Sequence, residues 1–255
     1  MGGGASSIRA RRGGCIRCLI GGMNTVRIGL IGCVFLGSVL AVASDEGVRP
    51  PVERPEAGVG GWTALFDGET LSGWRGFRME TVPEGWVARG GVLRRSGKGG
   101  NLMTLESFAD FELYLEWAVS AGGNSGIIVR ASEETMEPWH SGPEMQIYDP
   151  VDASKVKRVH AAGALYDLVP VPDGLELRHL DWNRVWIRVV GTRYTFALNG
   201  VVTADLDLAS EEGRALVAGS KFAKYPEFGV AASGPVVLQD YGDAVAFRRI
   251  LLRRL

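Results

Sequence analysis

The stretch FELYLEWAV, Phe111 to Val119, does more than any other segment to limit what this chain can fold into. Phe111, Leu113, Leu115, Trp117 and Val119 occupy every second position, with Glu112, Tyr114 and Glu116 between them. Only an extended strand, whose side chains alternate between two sides, sorts such a pattern into one apolar and one polar face. The apolar face, Trp117 included, is expected in a core and the other in water. RVWIRVV repeats the pattern with Val185, Ile187 and Val189, and RYTFALNGVVTADL repeats it with Tyr194, Phe196 and Leu198 ahead of Asn199-Gly200. Asn-Gly between two β-rich runs signals a tight hairpin, because a type I′ turn needs positive φ at both positions.

Further strands are expected at Trp86 to Val87, Val92 to Arg94, Gly126 to Arg130, Glu144 to Tyr148, Val236 to Gln239 and Val245 to Leu252. Only Leu208 to Gly219, LASEEGRALVAG, has a helical pattern, and it is short and interrupted by glycine. Many strands at short spacing with Gly and Asn/Asp turns specify an all-β antiparallel sandwich or jelly roll.

Residues 1–43 read as an N-terminal extension and a signal peptide. Arg27 precedes an uncharged apolar run from Ile28 to Ser44, with a small-x-small cleavage pattern at Ala41-Val42-Ala43 and Met23 as the expected start. The expected location is secreted or periplasmic; the alternative is a membrane anchor through residues 28–44, although that run is short for a span of ~20 residues. All three cysteines, Cys15, Cys18 and Cys33, fall in this leader, so the remaining domain has no thiol and CIRC is a poor metal or redox motif. The leader holds five Arg and no acid, leaving 23 basic against 29 acidic residues. That balance argues against a nucleic-acid partner and fits a neutral or cationic ligand. Residues 44–60, rich in Pro, Gly and charge, are expected to form a flexible linker to a domain spanning 61–255.

The polar content of SGPEMQIYD, Ser141 to Asp149, stands out among these apolar strands. On a regular strand Glu144, Gln146 and Tyr148 share one face, while Met145, Ile147 and Asp149 share the other. The first set reads as the wall of a cleft, and Asp149 joins it only if a β-bulge intervenes. Arg130, at the end of the preceding strand, and His160 and Tyr166, in a following loop, are the nearest chemically useful neighbours in sequence. Seven Trp (Trp62, Trp74, Trp86, Trp117, Trp139, Trp182 and Trp186) supply flat faces that suit both cores and sugar rings. Trp139 and Trp182 sit in polar loops and are candidates for sugar stacking.

The ordered segments GWTALFDGETLSGWRG, DFELYLEWAVSAGGNSGIIVR, GPEMQIYD, AGALYDLVP, DWNRVWIRVVGTRYTFALNG, SKFAKYPEFG and VVLQDYGDAVAFRRILLRRL together resemble the bacterial secreted 3-keto-disaccharide hydrolase family, also described as 3-keto-glucoside lyase and 3-keto-2-hydroxy-glucal hydratase. The resemblance runs from about Gly61 to Leu255. It implies a concanavalin A-like jelly roll and a reaction on a sugar already oxidised at C3. The ketone acidifies the C2 proton, so a base can form an enolate that expels the C1 substituent, and water can then add. Where the family commonly has LQDHG, this chain has LQDYG, with Tyr241 in place of His.

On this reading Glu144 is the base or a metal ligand, Arg130 and Gln146 hold the enolate oxygen, and His160 is an acid or ligand. Asn124, Trp139, Tyr166, Trp182, Gln239, Asp240 and Tyr241 are candidates for holding substrate. A divalent metal ion stays open, with Glu144, His160 and Asp149 as candidate ligands. Two other readings remain. A family-16-like glycoside hydrolase would use Glu144 with Asp149, although a retaining enzyme needs its carboxylates ~5 Å apart. A non-catalytic, lectin-like carbohydrate-binding module could share the same fold.

Overall fold

The period-two segments form thirteen strands: β1 (Thr63–Ala64), β2 (Trp74–Gly76), β3 (Trp86–Arg89), β4 (Val92–Arg95), β5 (Leu102–Thr104), β6 (Phe111–Val119), β7 (Asn124–Val129), β8 (Glu144–Tyr148), β9 (Asn183–Val190), β10 (Arg193–Leu198), β11 (Val201–Asp207), β12 (Val236–Leu238) and β13 (Val245–Arg254). The α-helix, α1, covers Glu211–Gly219, inside the segment with the helical pattern. Its N-cap Ser210 accepts a hydrogen bond from the Gly213 amide, with Glu211 and Glu212 in the first turn, where acids favour helix entry. This computed structural model describes residue 1, residues 48–51, 53–97 and 99–255. The signal segment and the three cysteines lie outside the described residues.

The strands pair into two antiparallel sheets. The larger has the order β11-β10-β9-β6-β13-β4-β3, with β1 on β13, and the smaller has the order β2-β5-β12-β7-β8. The fold is an antiparallel β-sandwich of the jelly-roll class. Leu113, Leu115 and Trp117 of β6, Ile187 of β9 and Phe247 of β13 meet Ile127 of β7 and Met145 and Ile147 of β8 in one core, each at most 1% exposed. Asn199 and Gly200 adopt φ of 53° and 90°, the conformation that the β10–β11 hairpin requires. β1, β2 and β5 have only two or three residues, too few for alternation to reveal.

One expectation is corrected on the outer face of the large sheet. Glu112, Tyr114 and Glu116, expected to be wet, are buried, because arginines from neighbouring strands and from the preceding segment lie over them. Glu112 pairs with Arg253 and Arg188, while Glu116 takes Arg248, Arg54 and the Tyr114 hydroxyl. Burial pushes the Glu116 carboxyl upward, but hydrogen bonds from Arg248 and Tyr114 outweigh it and hold the group below the usual carboxylate range.

The expected linker is held down over its later part by the same charges. Arg54 Nε lies 3.0 Å from Glu116, and Pro55 is buried with its carbonyl accepting from Arg249 Nη2 at 3.2 Å.

Arg248→Met should lower unfolding stability by about 3 kcal/mol, since it leaves a fully buried carboxylate short of a partner. Combining it with Glu116→Gln should recover part of that loss in denaturant unfolding.

Candidate active site

The pleat of β8 sends Met145 and Ile147 into the core and Glu144 and Gln146 to the opposite face of the small sheet. Both polar residues are nevertheless only 5% exposed, because loops cover that face. β7 and β8 pair without a register shift, placing Ile128 opposite Glu144, Gly126 opposite Gln146 and Asn124 opposite Tyr148. Gly126 provides the space for the carboxylate: a Cβ there would lie 2.3 Å from Glu144 Oε1. Just beyond β12, which pairs with the other edge of β7, Gln239 is largely buried and donates its backbone N–H to the Gly126 carbonyl at 2.9 Å. Continuing the alternation of β12, its side chain shares the face of Val237 and Ile128, beside Gly126.

Along the outer edge of β8, the segment that follows turns back antiparallel to the strand, with the Tyr166 backbone N–H donating to the Glu144 carbonyl at 3.0 Å. The Tyr166 and His160 rings stack at 4.8 Å, and His160 Nε2 lies 2.9 Å from Asp167 Oδ1. Asp167, in the left-handed region with φ of 61°, uses its other oxygen to accept from the Lys221 amide at 3.0 Å. Lys221 opens the 3-10 turn Lys221–Lys224, and its Nζ lies 4.2 Å from the Tyr166 ring centre and 4.4 Å from that of Trp139. Trp139 is braced edge-on by Tyr225, on which His140 stacks at 4.0 Å.

Burial pushes the Glu144 carboxyl up to about 7, against a smaller downward pull from Lys221. Burial likewise lowers the Lys221 ammonium, opposed by the charges of Glu144 and Asp167. Burial and then the Glu144 charge push the Tyr166 hydroxyl up, so it stays a proton donor. A carboxyl that exchanges its proton near neutrality beside an ammonium and a phenol is suited to moving a proton on a bound molecule.

Glu144, Gln146, His160, Tyr166, Trp139 and Gln239 are thus brought to one face. Tyr241, 64% exposed, lies close enough to contribute to the Tyr166 shift. Asn124 stands further along β7; its amide donates to Asp243 at 3.0 Å and its buried Oδ1 has no partner among the described residues.

The structure places four expected residues elsewhere. Arg130 has φ of 53°, which turns its guanidinium away to the carbonyls of Ala109 and Gly191 and to Asp110, so it holds loops and not an enolate. Asp149 ends its strand without a bulge, accepting from His179 Nδ1 at 2.6 Å and the Leu180 amide at 3.0 Å. It therefore forms no carboxylate pair with Glu144. Asp240 is taken up by Arg95 at 2.6 Å and by the Gly100 and Gly242 amides. Trp182 lies beneath the guanidinium of Arg248 on the large sheet, 4.1 Å away.

The proposed metal ligands Glu144, His160 and Asp149 do not assemble: His160 is bound to Asp167, and Asp149 to His179. Among the described residues no three His, Cys, Asp or Glu side chains converge as a metal site. Sequence reasoning missed Lys221, Asp167 and Gly126. Lys221 was visible only as part of SKFAKYPEFG, and Gly126 only as the first residue of an expected strand.

A jelly-roll sandwich with a buried, near-neutral carboxyl on a loop-covered sheet face defines the class of protein. Residues 61–253 match the family described as 3-keto-alpha-glucoside-1,2-lyase-like domain, and the chain belongs to that family. It is 29% identical to a 3-keto-disaccharide hydrolase of Bacteroides thetaiotaomicron, over 85% of this chain and 84% of that protein. Among solved structures it is similar to two from Parabacteroides distasonis, each titled "putative glycosyl hydrolase". One has a TM-score of 0.69 at 23% identity, covering 76% of this chain and 94% of that one. The other has a TM-score of 0.60 at 26% identity, covering 76% and 99%.

A carboxyl with a raised folded-state pKa adds stability that is complete below its unfolded value of 4.5 and lost as pH rises through about 7. Relative to Glu144→Gln, the wild type should therefore lose on the order of 3 kcal/mol between pH 4.5 and 8. A carbon-13 NMR titration should find the Glu144 midpoint near 7 and higher still in Lys221→Met, which removes the neighbouring cation.

Proposed function

We propose that this protein cleaves 3-keto-glycosides by removing the C2 proton and eliminating the C1 substituent, with later hydration giving net hydrolysis. The observation that carries this reading is the Glu144 carboxyl, buried over Gly126 and balanced between its two protonation states near pH 7. A C2 hydrogen beside a ketone is weakly acidic, and a desolvated carboxylate is a stronger base than one in water. The name of the Bacteroides relative and the family description support a C3-oxidised sugar as substrate.

Glu144 takes the C2 proton. With Arg130 turned away, Gln146, Tyr166 and the positive field of Lys221 are the groups that stabilise the charge developing on the C3 oxygen. His160, oriented by Asp167, gives a proton to the departing C1 oxygen. Trp139 and Gln239 form the walls of the sugar site, a flat ring and an amide suited to C–H faces and hydroxyls respectively. The apolar leader would export the domain, placing the reaction outside the cytoplasm.

Glu144→Gln should lower kcat on 3-keto-trehalose by roughly 10³-fold, with a melting temperature at neutral pH no lower than that of the wild type. In the wild type, kcat/KM should climb with pH and level off above about 7, where the carboxylate form dominates. Free glucose release measures both. Full activity in Glu144→Gln would remove this residue from the chemistry, and cleavage of unoxidised glycosides at a comparable rate would overturn the 3-keto requirement.

A further inference from the structure

The outer face of the large sheet holds a cavity that takes no part in the proposed cleavage. β6, β9 and β10 align Tyr114, Trp186 and Ala197 in one cross-strand row, and the small Ala197 side chain leaves space beside the indole. The next row on the same face pairs Glu116 with Arg184, whose backbone N–H donates to Asn199 Oδ1 at 2.9 Å. Pro50 and Pro51, with fixed φ, and Arg54, anchored on Glu116, complete a cavity of about 320 Å³. Ligand clefts run from roughly 300 Å³ upward, so this one suits a single small molecule such as one sugar ring.

Two groups lining it lack partners. Arg184 stands directly opposite Glu116 in the β6–β9 register, yet Glu116 is already occupied: Oε1 accepts from the Tyr114 hydroxyl and lies 3.0 Å from Arg54 Nε, while Oε2 accepts from Arg248. Among the described residues no carboxylate lies within ion-pair distance of the Arg184 guanidinium, and its buried Nε has no acceptor. Trp186, 3% exposed, likewise keeps its indole N–H without an acceptor. A buried donor left unpaired is costly, and a bound acceptor removes that cost. Glu53 lines the same cavity without forming an ion pair among the described residues, and is the internal competitor for Arg184. Although the chain as a whole is acidic, here the guanidiniums of Arg54, Arg184 and Arg248 face one buried carboxylate, which leaves a local surplus of positive charge.

We propose that this cavity is a second, non-catalytic sugar site that binds a carboxylate-bearing sugar, a uronate, with the carboxylate on Arg184 and the ring against Trp186 and Tyr114. A guanidinium recognises a carboxylate through paired, charge-assisted hydrogen bonds. Flat aromatic faces accept the C–H side of a pyranose, and the indole N–H is a donor for a ring hydroxyl or the carboxylate. The site lies on the outer face of one sheet and Glu144 on the outer face of the other, so it stands whether or not the cleavage reading does.

The test titrates D-glucuronate, D-glucose and acetate into the purified protein by calorimetry, and follows the tryptophan indole N–H signals by proton–nitrogen NMR, with Trp186 assigned through Trp186→Phe. Glucuronate is expected to bind and to shift the Trp186 signal. Glucose and acetate, each lacking half of the recognised chemistry, should bind at least about tenfold more weakly, the scale of one hydrogen bond to a charged group. Arg184→Met should weaken glucuronate binding by about tenfold or more, and Glu53→Gln, which removes the competing carboxylate, should tighten it. Glu144→Gln should leave it unchanged. Melting temperatures show whether Arg184→Met is folded; if it is not, the indole shift and Glu53→Gln decide. Absence of glucuronate binding, glucose or acetate bound as tightly, an unmoved Trp186 signal, or Glu53→Gln that fails to tighten binding overturns the site. Full affinity in folded Arg184→Met, or affinity lost in Glu144→Gln, overturns its placement on the large sheet.

Discussion

The pairing of β7 with β8 is the constraint on which the rest of the site depends. Its register puts Gly126 beside the Glu144 side chain and Met145 and Ile147 in the core at the same time. A slip of one residue would reverse every side chain, exposing the apolar pair and burying the carboxylate among hydrocarbon. The same contacts that stabilise the sandwich therefore hold the candidate base against a glycine and beneath a cover of aromatic loops. Burial that would be costly for a spectator carboxylate gives this one a proton affinity suited to neutral pH.

The two outer faces of the sandwich treat charge in opposite ways. On the large sheet, Glu112 and Glu116 are buried together with arginines, so each charge is matched and the Arg54 segment is fastened across the strands. On the small sheet, Glu144 is buried without forming an ion pair, and Lys221 acts on it only through its charge. Matched charges stabilise ionised forms and act as clamps. The unmatched Glu144 carboxyl is held near the point of proton exchange, and that difference separates the chemistry from the scaffold, although both faces contain buried acids.

Legibility followed local geometry. β6 and β8 were readable to the residue because the pleat is set by the chain itself, and the Asn199-Gly200 turn was readable because its dihedrals demand those residue types. The alternation could say that Glu112 and Glu116 leave the core, but not that arginines from β13, β9 and the preceding segment would cover them. Arg130 looked well placed in sequence, two residues beyond Ile128, until its positive φ turned it towards Ala109 and Gly191. Asp149 and Asp240 are ordinary acids in sequence, and only their partners His179 and Arg95 reveal them as loop fasteners.

The sequence alone determined the sandwich, the inward and outward sets of each long strand, Glu144 and Gln146 as a polar pair on one face, and the family resemblance. All of these depend on neighbours close along the chain or on the order of segments. Tertiary structure decided which acids are clamped and which are left to exchange protons. It also brought Lys221, 77 residues beyond Glu144, onto Tyr166 and Trp139. The physical reason is that desolvation and charge pairing depend on what surrounds a group in space, and a strand pattern specifies a direction without specifying what lies there.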